Sequence, residues 1–352
     1  MKIRLCLKIL LWAALALVLC FALLVAYLSV TEYRPKERQA AEHINISNDN
    51  AEAVSQQLTV FIWNIGYCGL DANADFFMDG GKSVNPKKEA VEENLTAIKD
   101  FIAAQSADAW LLQEVDVDSA RTGSINELAE ISSVYGGSFG LSYNYKCEFV
   151  PIPLPPMGKM ESGIATFTNR TVKSDTFERV ALPCPFSWPV SIANLKRCLL
   201  VTRLEVTGSD KEVVLVNLHL EAYDDGSGKI AQTKLLTDFL YQEYEKGNYV
   251  IAGGDFNQVF PDTLQAYPVA ENVWTPGNLE EDDLPSGFRY AFDSTTPTCR
   301  LLDIPYDENS QLYVIDGFIL SPNVQVEKVE TVDLGFANSD HNPVKLQVTL
   351  QK

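Results

Sequence analysis

Apolar and polar positions alternate along this chain in three different ways. Residues 9–31 carry no charge, and "ILLWAALALVLCFALLVAYL" within them has the length of about 20 apolar residues that takes a helix across a bilayer. Residues 32–57 are polar with little apolar periodicity, which predicts a linker between membrane and domain, with His43 idle in it. From residue 58 onward come short β-branched and aromatic runs, among them "LTVFIWNI", "AWLLQEV", "SGIATFTN", "RCLLVTRLEV", "EVVLVNLHLEA", "YVIAGGDF", "YVIDGFIL" and "PVKLQVTL". Many strands and few helices predict stacked sheets rather than a doubly wound parallel fold.

Two segments have helical period instead. In "NPKKEAVEENLTAIKDFIAA", Asn85 offers an N-cap and Pro86 a first-turn residue, and Val91, Leu95, Ile98 and Ile102 share one face. In "KIAQTKLLTDFLYQEYEKGN", Leu236, Phe239 and Leu240 form a stripe that stops at Gly247. Two proline-rich stretches, "EFVPIPLPPMGKM" and "LPCPFSWPV", predict loops at one rim, carrying Phe149, Phe186 and Trp188.

Charge orients the first segment. Lys2, Arg4 and Lys8 precede the apolar run without any acid, while Glu32, Arg34, Lys36, Glu37 and Arg38 behind it are mixed. The expectation is a cytoplasmic residue 1–8 stretch, a single span at 9–31, a linker at 32–57 and an extracytoplasmic domain at 58–352, held at the cell membrane. A cleaved signal peptide is the alternative, but the run exceeds the usual 7 to 15 apolar residues of such peptides and no clean A-x-A site follows.

A net charge of −19 argues against a passive electrostatic grip on nucleic acid or on an anionic membrane surface, though not against a phosphate enzyme that brings its own cations. The five cysteines past residue 57 contain no C-x-x-C pair, so no zinc site is indicated. One bridge, Cys184 to Cys198, is worth testing.

Polar residues accumulate where the apolar runs stop. Asn64 follows "VFIW", Glu114 follows "WLLQ", and Asn217 and His219 interrupt "VVLVNLHL". Asp255 and Asn257 follow "VIAGG", Asp316 lies inside "YVIDGFIL", and Asp340 and His341 precede the last run. Singly, each has an ordinary reading: asparagine as a turn former, Glu114 in an acidic loop with Asp116 and Asp118, Asp255 as a turn cap, His219 as a core histidine. Asp316 among Val314, Ile315, Phe318 and Ile319 resists that reading, because a lone buried carboxylate is costly. Together, with two of only three histidines at such ends, they form a convergent site.

The stretches "WNIG", "LLQEVD", "VNLHLEA", "GGDFNQV", "VIDGFILS" and "SDHNPV" resemble, in order and spacing, the endonuclease/exonuclease/phosphatase superfamily over about residues 58–351. The resemblance implies a four-layer α/β/β/α sandwich with its site at one end of two sheets, and a metal-dependent attack of water on a phosphoester. It implies Glu114 as principal ligand of magnesium, or of manganese in its place, helped by Asn64. Asp255 would orient or deprotonate the water with Asn257 holding it, and His219 and His341 would grip the phosphate. Asp316 would fix the tautomer of His341, and Asp340 would assist the metal or the water. Asp255 and His341 both remain open as the base. "NLHL" is similar to the phosphatase and sphingomyelinase branches, which points to a small or lipid phosphoester. Asn217 and Arg300 are candidate substrate contacts, with Lys146, Lys159 and Arg197 as further phosphate partners. An anchored extracellular nuclease is the second reading. The third is an inactive binding module, opposed by the intact site residues. No obligate protein partner is indicated.

Overall fold

The computed structural model describes residues 2–351. Helix α1 (Lys2–Val30) is followed by fourteen strands in two large sheets. They are β1 (Arg38–Ala40), β2 (His43–Asn45), β3 (Gln57–Asn64), β4 (Ala109–Asp116), β5 (Ser138–Val150), β6 (Gly158–Thr168) and β7 (Glu178–Ala181). The second half supplies β8 (Cys198–Glu205), β9 (Glu212–His219), β10 (Tyr249–Asp255), β11 (Arg289–Ala291), β12 (Asp316–Leu320), β13 (Val324–Thr331) and β14 (Val344–Leu350). Helices α2 (Lys88–Ala104), α3 (Glu127–Tyr135) and α4 (Ser227–Glu245) complete the frame. One sheet runs β1-β7-β8-β9-β10-β12-β11 and the other β13-β14-β3-β4-β6-β5-β2.

Strand periodicity explains the layering. In β3, Val60 and Ile62 point into the core between the sheets, where they join Leu111, Leu215, Ile251, Phe318 and Leu346. Phe61 and Trp63, one residue out of phase, point the other way, onto Val91, Leu95 and Ile98 of α2. The far sheet repeats this on its outer face, where Val214 and Val216 meet Leu236, Phe239 and Leu240 of α4. Strands buried on both faces therefore read as continuous apolar runs, and the result is the expected α/β/β/α sandwich.

Four expectations need correction. Residues 32–57 are not a free linker: β1 pairs with β7, β2 pairs with β5, and Glu52 and Val54 bridge to Arg170 and Val206. Edge strands are held by main-chain hydrogen bonds, which require no apolar periodicity, so a polar composition concealed them. His43 is likewise not idle, since its Nε2 lies 2.7 Å from the Tyr143 hydroxyl. Helix α2 starts at Lys88 with Lys87 as N-cap, while the Asn85 amide donates to the Pro156 carbonyl. Cys184 and Cys198 are both free thiols.

Helix α1 is long and apolar enough to cross a membrane, a property that signal sequences near an N-terminus share. Only its last turns touch the domain, through Leu24 and Leu28.

Helix α4 is clasped to β8 by the fork of Arg203, whose two Nη atoms each lie 2.9 Å from a Glu243 oxygen. Burial pushes the Glu243 carboxyl up, but Arg203 and Lys246 outweigh it and hold it at about 2, below the ordinary 4.5. Its stabilisation is therefore complete above pH 4.5 and disappears as the pH falls toward 2. Glu243→Gln is expected to cost about 2 kcal/mol near neutral pH. Denaturant melts across pH should show that gap close in acid; a gap that persists at pH 2 would assign it to packing instead.

Candidate active site

The site lies where strands of both sheets end at one edge. Parallel pairing of β3 with β4 brings Asn64 beside Gln113, and parallel pairing of β9 with β10 sets His219 opposite Asp255. Antiparallel β12 begins at the same edge, so Asp316 is also the register partner of Asp255. The Asp340–His341 turn enters just ahead of β14.

Glu114 owes its position to a bulge. The β4–β6 register slips between Leu112 and Val115, and Glu114 adopts φ +55°, a left-handed conformation uncommon outside glycine. That kink carries the carboxylate into a cavity of about 540 Å³, which Asn64, His219, Asp255, Asn257, Asp340 and His341 also line. The Asn64 amide donates to Asp255 Oδ2 at 3.1 Å and to Glu114 Oε1 at 3.4 Å, while its oxygen accepts from the Gly66 amide. Gly66 is required there: at φ +50°, an added Cβ would sit 2.8 Å from Asp340 Oδ1.

The turn bearing His341 is pinned from several sides. Ser339 Oγ donates to the Asn64 carbonyl, Trp63 Nε1 donates to the His341 carbonyl, and the Asn342 amide donates to the Thr298 carbonyl. His341 Nδ1 lies 2.8 Å from Asp316 Oδ2, and Nε2 is left facing the cavity, 3.8 Å from Asp255 and 3.9 Å from Asp340. Burial pulls the His341 pKa down, but the charge and hydrogen bond of Asp316 outweigh it and leave the imidazole well above its usual range. His219 goes the other way. Burial, followed by repulsion from Arg197 and His341, holds it well below 6.5, although its Nε2 is 3.4 Å from Asp255. Two imidazoles in one cavity are thus shifted in opposite directions, His341 toward its protonated form and His219 toward its neutral one.

Burial and then the charge of Asp316 raise Asp255 to about 7, and burial raises Asp340 to about 6. Such a concentration of desolvated acids favours a divalent cation. The oxygen donors of Glu114, Asn64 and Asp340 suit a hard one. Asp255, Asp316 and His341 also bring ligand atoms within 4.8 Å of one another. With His341 Nδ1 already bound to Asp316 and Nε2 3.8 Å from Asp255, that trio reads as one hydrogen-bonded pair beside a carboxylate, not a ligand set. Asn257 serves Asp255: its backbone N–H donates to Asp255 Oδ1 at 2.8 Å, and its side chain is fixed on the Leu220 carbonyl.

Eight of the ten expected site residues are brought together. Asn217 is not among them. Its amide donates to the Leu112 and Ala165 carbonyls and accepts from Gln113, so it ties the two sheets together and has nothing left for a substrate. Arg300 touches the cavity, but its guanidinium donates to the carbonyls of Asp71, Ala74, Leu301 and Ile304 and braces a loop. Lys146 and Lys159 are engaged by Glu161, and Arg197 is buried between Glu221 and the His219 carbonyl. Sequence reasoning missed Thr298, which donates no side chain to the cavity yet accepts the Ile315 and Asp316 amides. It also missed Tyr223, whose hydroxyl donates to Asp79 on the cavity wall. Neither sits at the end of an apolar run, so strand-end reading could not find them.

Comparison with curated proteins finds no match. Among solved structures, an endonuclease/exonuclease/phosphatase from Beutenbergia cavernae is similar at 17% identity and a TM-score of 0.56, over 84% of this chain and 72% of that one. A family protein from Bacteroides thetaiotaomicron is similar at 15% and 0.52, over 84% and 98%. TDP2 from Caenorhabditis elegans is similar at 16% and 0.51, over 83% and 74%. At these identities the likeness is one of fold. The family match is a matter of sequence and runs over residues 62–341, from the inner end of β3 to the histidine held by Asp316. By that match, the chain belongs to the endonuclease/exonuclease/phosphatase family.

Proposed function

We propose that this protein is a membrane-anchored, divalent-metal-dependent hydrolase of a small or lipid phosphoester, with its domain on the extracytoplasmic side. One observation carries the chemistry: Asp316 holds His341 by Nδ1 and leaves Nε2 facing the cavity that Glu114, Asn64 and Asp340 share. Glu114, Asn64 and Asp340 would hold magnesium, or manganese in its place. When bound, the cation supplies positive charge to a phosphoryl oxygen and helps orient water.

The remaining work falls to the chain's own groups. Protonated His341 donates from Nε2 to a phosphoryl oxygen, and Asp316 keeps that proton in place. Neutral His219 adds an N–H donor without adding charge. Asp255, held by Asn64 and Asn257, accepts from the attacking water, which displaces the leaving alcohol in line. Water adds to phosphorus, the P–O bond to the alcohol breaks, and the alcohol leaves with a proton.

The test uses the full chain, because residues 38–54 belong to the sheets. A panel of phosphomonoesters and phosphodiesters, with DNA as one member, should be hydrolysed with magnesium and lose at least about 10²-fold in rate with chelator, as a metal-supplied charge requires. DNA cleavage that falls steeply with salt would transfer the assignment to a nuclease. No turnover under any metal would leave a binding module. For topology, protease added to intact cells should remove the domain; full protection would refute the extracytoplasmic placement.

A further inference from the structure

The cavity lining combines charged residues with an apolar set, and part of that apolar set also packs on α1. Val150 at the end of β5, Ile152, Pro153 and Met157 from the loop that follows it, and Phe186 and Leu195 from the loop between β7 and β8 belong to that apolar set. The same loops receive the helix: Leu24 and Leu28 pack with Val150, Met157, Met160 and Ile192. Polar contacts fix the junction. Trp188 Nε1 donates to Ser29 Oγ at 3.1 Å, and Lys196 Nζ lies 3.0 Å from Glu32 Oε1. The domain is docked on the last turns of the helix.

Depth follows from this docking. At about 1.5 Å per residue, a helix crossing a hydrocarbon core of about 30 Å leaves Leu24 to Val30 within its outer third. The rim loops packed on those turns lie at the same level. Their tips are unusually apolar for a surface: Leu154 is 84% exposed, Ile152 71%, Trp188 62% and Val190 56%. Phe21, Tyr27 and Val30 of α1 are exposed as well, so the helix adds its own apolar surface to that of the rim. Tyrosine and tryptophan at this level match the aromatic belt of membrane interfaces.

Resting on the hydrolase reading above, we propose that the two proline-rich loops insert into the leaflet that α1 crosses, and that the substrate is a phospholipid of that leaflet. Its phosphate meets His341 and the cation that Glu114 would hold, while its glycerol and first acyl carbons lie along Val150, Ile152, Met157 and Leu195. The substrate need not leave the bilayer completely, because the apolar wall of the cavity begins where the bilayer ends. This orientation also explains why the net negative charge is no obstacle, since the lipid arrives by lateral diffusion and not by long-range attraction.

The experiment reconstitutes the full chain in vesicles of phosphatidylcholine, phosphatidylglycerol and phosphatidic acid, and measures water-soluble phosphorus released. Hydrolysis of 4-nitrophenyl phosphate and bis(4-nitrophenyl) phosphate is followed in parallel. Leu154→Asp with Val190→Asp changes exposed rim residues that do not line the cavity. It should leave the soluble esters within about twofold and lower the vesicle rate by about tenfold or more, since charged tips resist insertion. In a Trp12→Phe background, brominated phosphatidylcholine should quench fluorescence, and Trp188→Phe should abolish most of that quenching. Cleavage of soluble esters with no phosphorus from vesicles would overturn the lipid substrate and spare the hydrolase. An unchanged vesicle rate in the double variant, or quenching that survives Trp188→Phe, would overturn insertion. Failure on every substrate would instead remove the hydrolase reading itself.

Discussion

Glu114→Gln is expected to lower phosphoester turnover by about 10³-fold at limiting magnesium and to leave the fold intact, on the scale expected when a metal supplies transition-state charge. Glutamine has the size of glutamate and can occupy the same bulge at φ +55°, so the backbone kink between Leu112 and Val115 survives. The full negative charge is lost, and a neutral amide is a poor anchor for a hard cation. Part of the activity should return at high magnesium, because the loss is in metal affinity before it is in chemistry. A rate equal to the parent's at limiting magnesium, with metal bound as tightly, would remove Glu114 as ligand.

His341→Ala and Asp316→Asn are each expected to depress turnover by about 10²-fold or more. Together they should be much less than multiplicatively worse, since the hydrogen bond of the carboxylate goes to the ring it holds 2.8 Å away. Asp316 loses its purpose once the imidazole is gone. A purely structural pair forecasts something else: a lower melting temperature with near-normal rate per folded molecule, because both side chains are buried. Rate and thermal midpoint, measured for both singles and the double, separate the two outcomes. Unchanged turnover in folded His341→Ala would leave no catalytic part for "SDHNP".

Much of this architecture was legible because it rests on side-chain alternation. Val60 and Ile62 against Phe61 and Trp63 encode a strand covered on both faces, and the polar residue that ends each run marks the edge where the strands converge. What stayed hidden depends on main-chain geometry or on which partner a polar group finds. The strands at 38–45 are held by hydrogen bonds of the backbone, which leave no trace in composition. The left-handed turn at Glu114 puts that carboxylate in the cavity, and no residue-type preference announces it. Asn217 and Arg300 are of the right type and close to the right place, yet neighbouring carbonyls take their donors. Residue type says what a group can bind, and only the fold says what it has already bound.

The order in which strands pair has a consequence for how the molecule matures. Central strand β3 is flanked by β14, with Val60 opposite Leu346, so one edge of the core sheet stays bare until almost the whole chain is present. Asp340 and His341 arrive with the same stretch that closes it. Pairings this distant in sequence pay their loop-closure entropy late and slow the search for the native state. On the proposed function, activity and completion of the sheet are expected to arrive together: in refolding experiments, activity should appear in the phase that buries Leu346, and in no earlier one.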